Sequence, residues 1–393
     1  MRNLSWLRFS LALLLAACGG RIAGENDRDS GVTPPLDAGT TPDTGDIPDG
    51  SAVHESTWVK AVQDVALVTA IVSDHAGGVY VSGDGAVVHI GPNGERLWTV
   101  STYDLWSLRP GDNFVGALAT DANGNVIVAG QGIAVLAASD GRPLWSARFN
   151  GTVTARAVSL LGDGTIASVG TFFGTTTFDR VTLQGPPPTG YVVRYDARGG
   201  FIGANLLSGV APFHWGDPWA IADADGNLVF VTDGTVTVVD SSLRVLRTLP
   251  LAKVGQVAPG ADGHLFTLAL NAQGGIDLRE NDRDGAAIWT YAFGTPNPLD
   301  PFDVVADHPR GVVVHHDALR SFDANGAVKE IIAQSDLDAI VAHALGIDGG
   351  VLYEGFQRIV VDRDGRIFMA GALGMSRTGA SQVFGFVARI ARP

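Results

Sequence analysis

Apolar residues along this chain fall into short runs cut by turns rich in Asp and Gly. Residues 121–145, DANGNVIVAGQGIAVLAASDGRPLW, set the pattern, with two Gly-bearing turns and three apolar runs in one short stretch. Runs this short between turn residues read as antiparallel strands. The turn at Asp121 recurs as DHAGGVYVSG from Asp74, LGDGTIASVG from Leu161, DADGNLVFVT from Asp223, GADGHLFTLA from Gly260, DHPRGVVVHH from Asp307 and DRDGRIFMAG from Asp362, which makes seven copies. The turn positions (Gly77, Gly124, Gly164, Gly226, Gly263, Arg310, Gly365) stand on average about 48 residues apart, a period at which propeller blades repeat. In Asp-x-x-Gly the Gly supplies the positive φ of the turn and the Asp carboxylate bonds nearby backbone N–H groups.

A second turn follows in most copies and leads into an aromatic strand: GPNGERLW ends in Trp98, SDGRPLW in Trp145 and DRDGAAIW in Trp289. One copy thus holds four strands, as in NFVGALATD, NVIVAG, IAVLAA and PLWSARF. A lone sheet of four short strands leaves both faces wet, and radial packing of such sheets hides them. The expectation is an all-β chain with a single β-propeller of seven four-stranded blades over residues 57–393. The last copy stops at GFVARIARP without a fourth strand, while STWVKAV near residue 58 looks like an orphan fourth strand, so the two ends are expected to close one blade. An eighth blade stays open, because residues 338–356 have room for an incomplete blade or a helix. The tryptophans at the repeat position (Trp58, Trp98, Trp145, Trp289) are expected to pack blade on blade.

These segments resemble the pyrroloquinoline-quinone-like propeller repeat, with its turn, short apolar strand and Gly-x-x-x-Trp ending. The third copy, with its Gly-Thr-Phe loop before YVVRYDARGG, and the seventh, with GFVARI, are similar to the longer propeller repeats of bacterial secreted proteins. The resemblance spans roughly residues 58–393 and implies a fold more than a function.

The amino-terminal segment changes the picture. Arg2 and Arg8 precede an apolar run from Phe9 to Ala17, too short to cross a bilayer and suited to a signal peptide over residues 1–17. The run ends in Leu15-Ala16-Ala17-Cys18, which resembles the lipobox of bacterial lipoproteins, and Cys18 is the one cysteine of the chain. The resemblance implies cleavage before Cys18 and its acylation, hence a membrane anchor. Gly19 in place of an Asp points to the outer membrane, on a periplasmic or surface face. Residues 18–56, rich in Asp, Pro, Gly and Thr, cannot bury enough apolar surface to offset chain entropy and read as a disordered tether.

Composition narrows the function. The net charge of −14 and the three lysines of the chain, Lys60, Lys253 and Lys329, exclude a nucleic-acid partner, because such binding needs clustered Lys and Arg on phosphates. Gly83-Asp84-Gly85 and Gly130-Gln131-Gly132 open strands, not helices, and read as hairpin turns instead of dinucleotide loops. His315 and His316 are strand neighbours that point to opposite faces, and the other histidines lack ligand spacing. The carboxylates of ENDRDG (Glu280, Asp282, Asp284) have no Glu at the twelfth loop position, where Tyr291 stands, so a calcium loop is not expected. No Gly-x-Ser-x-Gly elbow is present.

No catalytic residue, cofactor or metal is therefore expected. The reading is a non-catalytic, anchored, monomeric binding or scaffold propeller for a protein or glycan in the cell envelope. Two alternatives stand beside it: a propeller lipoprotein of the outer-membrane barrel-assembly type, and a propeller enzyme, either a hydrolase or a quinone-linked oxidoreductase. Long links between blades gather on one side of such a ring, and there Trp106, Arg109, His214, Trp215 and Asp217 are the candidate binding residues, with closure of the gaps between blades as the other reading of Trp106, Trp215 and Trp219.

Overall fold

The computed structural model describes residues 57–393 except 66, 84, 108–114, 208–219, 224, 233–234, 252–253, 295–302, 308–310, 317, 346–351, 354–357, 378–379 and 391–393. The signal-peptide and tether segments expected at residues 1–56 lie outside the described residues. β1 (Trp58–Val62) comes first among the described residues. Blade 1 follows as β2 (Val68–Ser73), β3 (Val79–Gly83), β4 (Ala86–Ile90) and β5 (Arg96–Ser101). A short helix α1 (Thr102–Trp106) leads toward blade 2, made of β6 (Ala117–Thr120), β7 (Val126–Ala129), β8 (Gly132–Leu136) and the first half of β9 (Pro143–Leu160). The second half of β9 opens blade 3, continued by β10 (Ile166–Phe178), β11 (Val181–Tyr195) and β12 (Phe201–Leu207).

Blade 4 is β13 (Ala220–Ala222), β14 (Leu228–Thr232), β15 (Thr235–Val239) and β16 (Val245–Leu249). Blade 5 is β17 (Val254–Pro259), β18 (Leu265–Leu270), β19 (Ile276–Asn281) and β20 (Ala287–Ala292). Blade 6 is β21 (Asp303–Asp307), β22 (Gly311–His315), β23 (Ala318–Phe322) and β24 (Val328–Ala333). Helix α2 (Gln334–Leu345) and the two-residue β25 (Leu352–Tyr353) precede β26 (Arg358–Val361), β27 (Ile367–Arg377) and β28 (Ala380–Ile390).

Blade 7 takes its fourth strand from the other end of the chain: β1 pairs with β28 from Trp58↔Arg389 to Val62↔Gly385. The innermost strands touch in the order β2, β6, β9, β13, β17, β21, β26 and back to β2, so the ring is closed. Each of the seven seams has its own apolar cluster among the described residues. The fold is a seven-bladed β-propeller, built on the short apolar runs of the sequence. The segment with room for an eighth blade holds α2 instead, which buries Leu337 and Val341 in the seam between blades 6 and 7.

The turns use one device. Asp121 Oδ1 accepts the N–H groups of Asn123 and Asn125, and Asp223, Asp196 and Asp282 repeat the arrangement two and four residues on. A second device locks blade to blade. Trp98 Nε1 donates to Ala138 O at 2.9 Å, Trp145 Nε1 to Ala197 O at 3.1 Å and Trp58 Nε1 to Pro92 O at 3.1 Å. Each ring lies on the glycine of the next blade's turn: a Cβ on Gly199 (φ +85) would stand 2.7 Å from Trp145, and one on Gly326 (φ +77) 2.7 Å from Trp289. The repeat-position tryptophans thus pack blades, as their spacing predicts.

Candidate functional site

Strand order gives the ring two unlike faces. First-to-second and third-to-fourth turns lie on one, the turn face; second-to-third turns and the links between blades lie on the other, the link face. Among the described residues the turn face carries short turns, one of them a 3-10 turn at Ala261–Gly263 in blade 5. The Asp side chains of this face are held by their own turns, and in blade 1 the second oxygen of Asp74 bonds His89 Nε2 at 2.8 Å. Burial opposes the charge on Asp74, but His89 and the N–H groups of Ala76 and Gly78 outweigh it and hold the carboxyl below its usual range.

Elaboration gathers on the link face. In blade 3, β10 and β11 remain paired from Ile166↔Tyr195 out to Phe178↔Val181, and β9 joins them as far as Phe149↔Phe178. The projecting ribbon has an aromatic interior: Phe149 meets Phe178 edge-on at 4.9 Å, and Phe178 lies 4.7 Å from Tyr191. Phe172 is also buried there, whereas Phe173, one residue on, points outward and is 43% exposed. Blade 7 carries a second ribbon, with β27 and β28 paired out to Arg377↔Ala380 and β25 added beside Leu373 and Gly374.

Between blades 6 and 7 on this face lies a polar cluster. Asp303, at the start of β21, accepts the N–H groups of Val304 and Ile359 and stands 3.8 Å from the Arg358 guanidinium. Burial pushes its carboxyl up to about 6, and Arg358 and the two N–H donors only partly offset that cost. Arg358 Nε donates to Thr69 O of blade 1, so three blades meet at this guanidinium. Above it, His315 Nε2 bonds Gln334 Oε1 at 3.1 Å, and Gln334 Nε2 donates to Asp338 Oδ1 at 2.7 Å. The cluster ties α2 and blades 6, 7 and 1 together.

Of the candidate binding residues, Trp106 is described and is not a surface platform. It is 2% exposed and packs with Tyr80, Trp98 and Val126 in the seam between blades 1 and 2. The indole covers Gly132, where a Cβ would stand 2.5 Å from Nε1. Trp106 thus closes the gap between blades, the other reading of its place in the link, because α1 turns it into the seam. Arg109, His214, Trp215 and Asp217 lie outside the described residues. Of the three ribbon aromatics Phe172, Phe173 and Phe178, only Phe173 faces solvent. Two of the ENDRDG carboxylates have structural partners, with Glu280 bonded to His264 and to Trp289 Nε1 and Asp282 closing its turn. His316 is buried against Phe293. Among the described residues no group of three or more His, Cys, Asp or Glu is placed to hold a metal ion.

Sequence reasoning places extra length on the link side at residues 170–190 and 371–385 but misses its form as projecting ribbons, the continuity of β9 and the Asp303 cluster. A signal for the first was present: GTTTFDRVTLQ alternates Thr with larger residues across a tight Asp-Arg turn.

No protein-family model matches the sequence, and no curated protein matches it. Solved structures share its fold. The WD40 domain of Pan2 from Neurospora crassa aligns with a TM-score of 0.53 at 14% identity, over 82% of this chain and 89% of that one. A chain of the mitotic checkpoint complex aligns at 0.54 and 12% identity, over 95% of this chain and 100% of that one. BamB from Moraxella catarrhalis aligns at 0.43 and 12% identity, over 82% and 85%.

Proposed function

We propose that the chain is a non-catalytic binding propeller of the bacterial cell envelope, anchored through acylated Cys18, on the outer membrane, and engaging a protein through its link face. One observation carries the reading: among the described residues, a closed ring keeps one face to short turns and places both ribbons and the two α-helices on the other. Elaboration on a rigid scaffold is where recognition usually sits. Phe173 supplies an exposed aromatic there. The lipobox resemblance at Leu15–Cys18 supports the anchor, and the Asp- and Pro-rich composition of residues 19–56 supports a flexible tether.

The test uses the full-length protein in the organism that encodes it. A photo-crosslinking side chain at Phe173 or Thr175 on the link face is expected to capture a protein, and one at Asn123 or Arg198 on the turn face is not. Capture from the turn-face positions alone, or glycan adducts in place of protein, overturns the assignment. Cys18→Ser is expected to release the chain from the membrane fraction and abolish fatty-acid labelling; unchanged retention and labelling refute the anchor.

A further inference from the structure

The direction of β1 decides where the preceding chain leaves the ring. Trp58, its first residue, pairs with Arg389 and donates to Pro92 O, in the third-to-fourth turn of blade 1. Arg389 donates to the same carbonyl at 2.9 Å. That turn belongs to the turn face. At the other end of β1, Val62 pairs with Gly385, where blade 7 begins to extend into its ribbon. The chain therefore enters β1 on the turn face, opposite the ribbons. We infer that the anchored ring is held turn face toward the bilayer and offers its link face away from it, to a protein approaching from beyond the membrane surface. The inference rests on the anchor and tether proposed above.

The bias has a calculable size. Inverting the ring lifts the attachment point by the height of blade 3. β10 has 13 residues, and at about 3.3 Å per residue the distance from turn end to ribbon tip is roughly 40 Å. The tether proposed above, taken as a flexible coil over residues 19–56, would have a root-mean-square span of roughly 34 Å, of which roughly 20 Å would lie along the membrane normal. An excursion of about 40 Å is then two standard deviations, and the Gaussian weight favours the upright posture about sevenfold. Deleting residues 27–50 leaves a coil whose spread along the normal is roughly 12 Å, which raises the preference to more than about a hundredfold.

The experiment replaces Cys18 with a hexahistidine tag on the mature chain and binds it to phosphatidylcholine vesicles that contain a nickel-chelating lipid. Cys18 is the one native cysteine, so a donor dye at Asn123→Cys or Thr175→Cys is unique, and the acceptor is a headgroup dye. Energy transfer is expected to be stronger from Asn123→Cys, with a gap that widens when residues 27–50 are deleted. Equal transfer from both sites in the shortened chain, or stronger transfer from Thr175→Cys, overturns the inference. Acylation plays no part in this arrangement, so failure of the anchor at Cys18 is read separately, by fatty-acid labelling.

Discussion

The lock between Trp145 and Gly199 allows a sharp test of how the blades hold together. Gly199 combines two demands: a φ of +85, and an indole 2.7 to 3.0 Å from where its Cβ would be. Gly199→Ala therefore costs about 1–2 kcal/mol for the left-handed backbone and about 1–3 kcal/mol for displacing the ring. Gly164 isolates the first cost, because its φ is +80 and nothing lies within 4 Å of where a Cβ would stand. Trp145→Ala should cost about 2–3 kcal/mol, below the range for a fully buried Trp, since this ring is part-exposed. In the Trp145→Ala background the clash is gone, so Gly199→Ala should cost only what Gly164→Ala costs. The coupling is then about 1–3 kcal/mol. With roughly 0.7 kcal/mol per degree for a ring of this size, Gly199→Ala lowers Tm by about 3–7 °C in the wild type and by about 2 °C beside Trp145→Ala. Urea unfolding of the four proteins of the cycle measures it. An equal cost of Gly199→Ala in both backgrounds would refute the lock.

Two further outcomes test closure and the polar seam. Deleting residues 19–50 should leave Tm nearly unchanged, whereas deletion through Val62 should lower it steeply: it removes the buried Val59 and Val62, at about 1.5–3 kcal/mol each, and opens the β28 edge. Equal melting temperatures would rule the closure out. Asp303, pushed up to about 6 from an ordinary 3.8 by burial, binds more protons folded than unfolded between those values. Its contribution is therefore most favourable below about pH 4 and declines as pH rises to about 6, by roughly 3 kcal/mol in all. The stability of wild type minus Asp303→Asn should fall by up to that amount between about pH 4 and about pH 7.5; a flat difference contradicts the buried, raised carboxyl.

The blade count, the closing strand and the tryptophan locks are legible in the sequence because each rests on local chemistry that repeats. Asp-x-x-Gly needs only its own backbone, and Trp four places after a turn Gly recurs in three copies. What stays hidden depends on partners far away in sequence. Asp303 in PLDPFDVV looks like another turn residue, and only its meeting with Ile359 and Arg358 shows that it is a buried strut. Trp106 sits in an irregular link with no period to place it, so nothing local distinguishes a seam filler from a surface aromatic. β9 passes from blade 2 to blade 3 without a loop, through Gly151 at φ +121, where the repeat pattern predicts a link. Leu243 takes a left-handed conformation at φ 64 in a turn position that elsewhere holds Gly, so the second turn of blade 4 escapes the repeat pattern.

The pairing of β1 with β28 also sets an order of events in time. Trp58 is made early, and its partner Arg389 only near the end of the chain. At about 5–20 residues per second, the interval between them is on the order of 20–60 s of synthesis. Throughout it β1 lacks its partner strand, and the ring cannot close before β28 is present. A ribosome that stalls before residue 385 releases a chain that cannot close, with two bare strand edges open to proteases and to other chains. Completion of the last strand is thus the step that separates a finished molecule from a fragment, and the ring reports its own completeness by shutting.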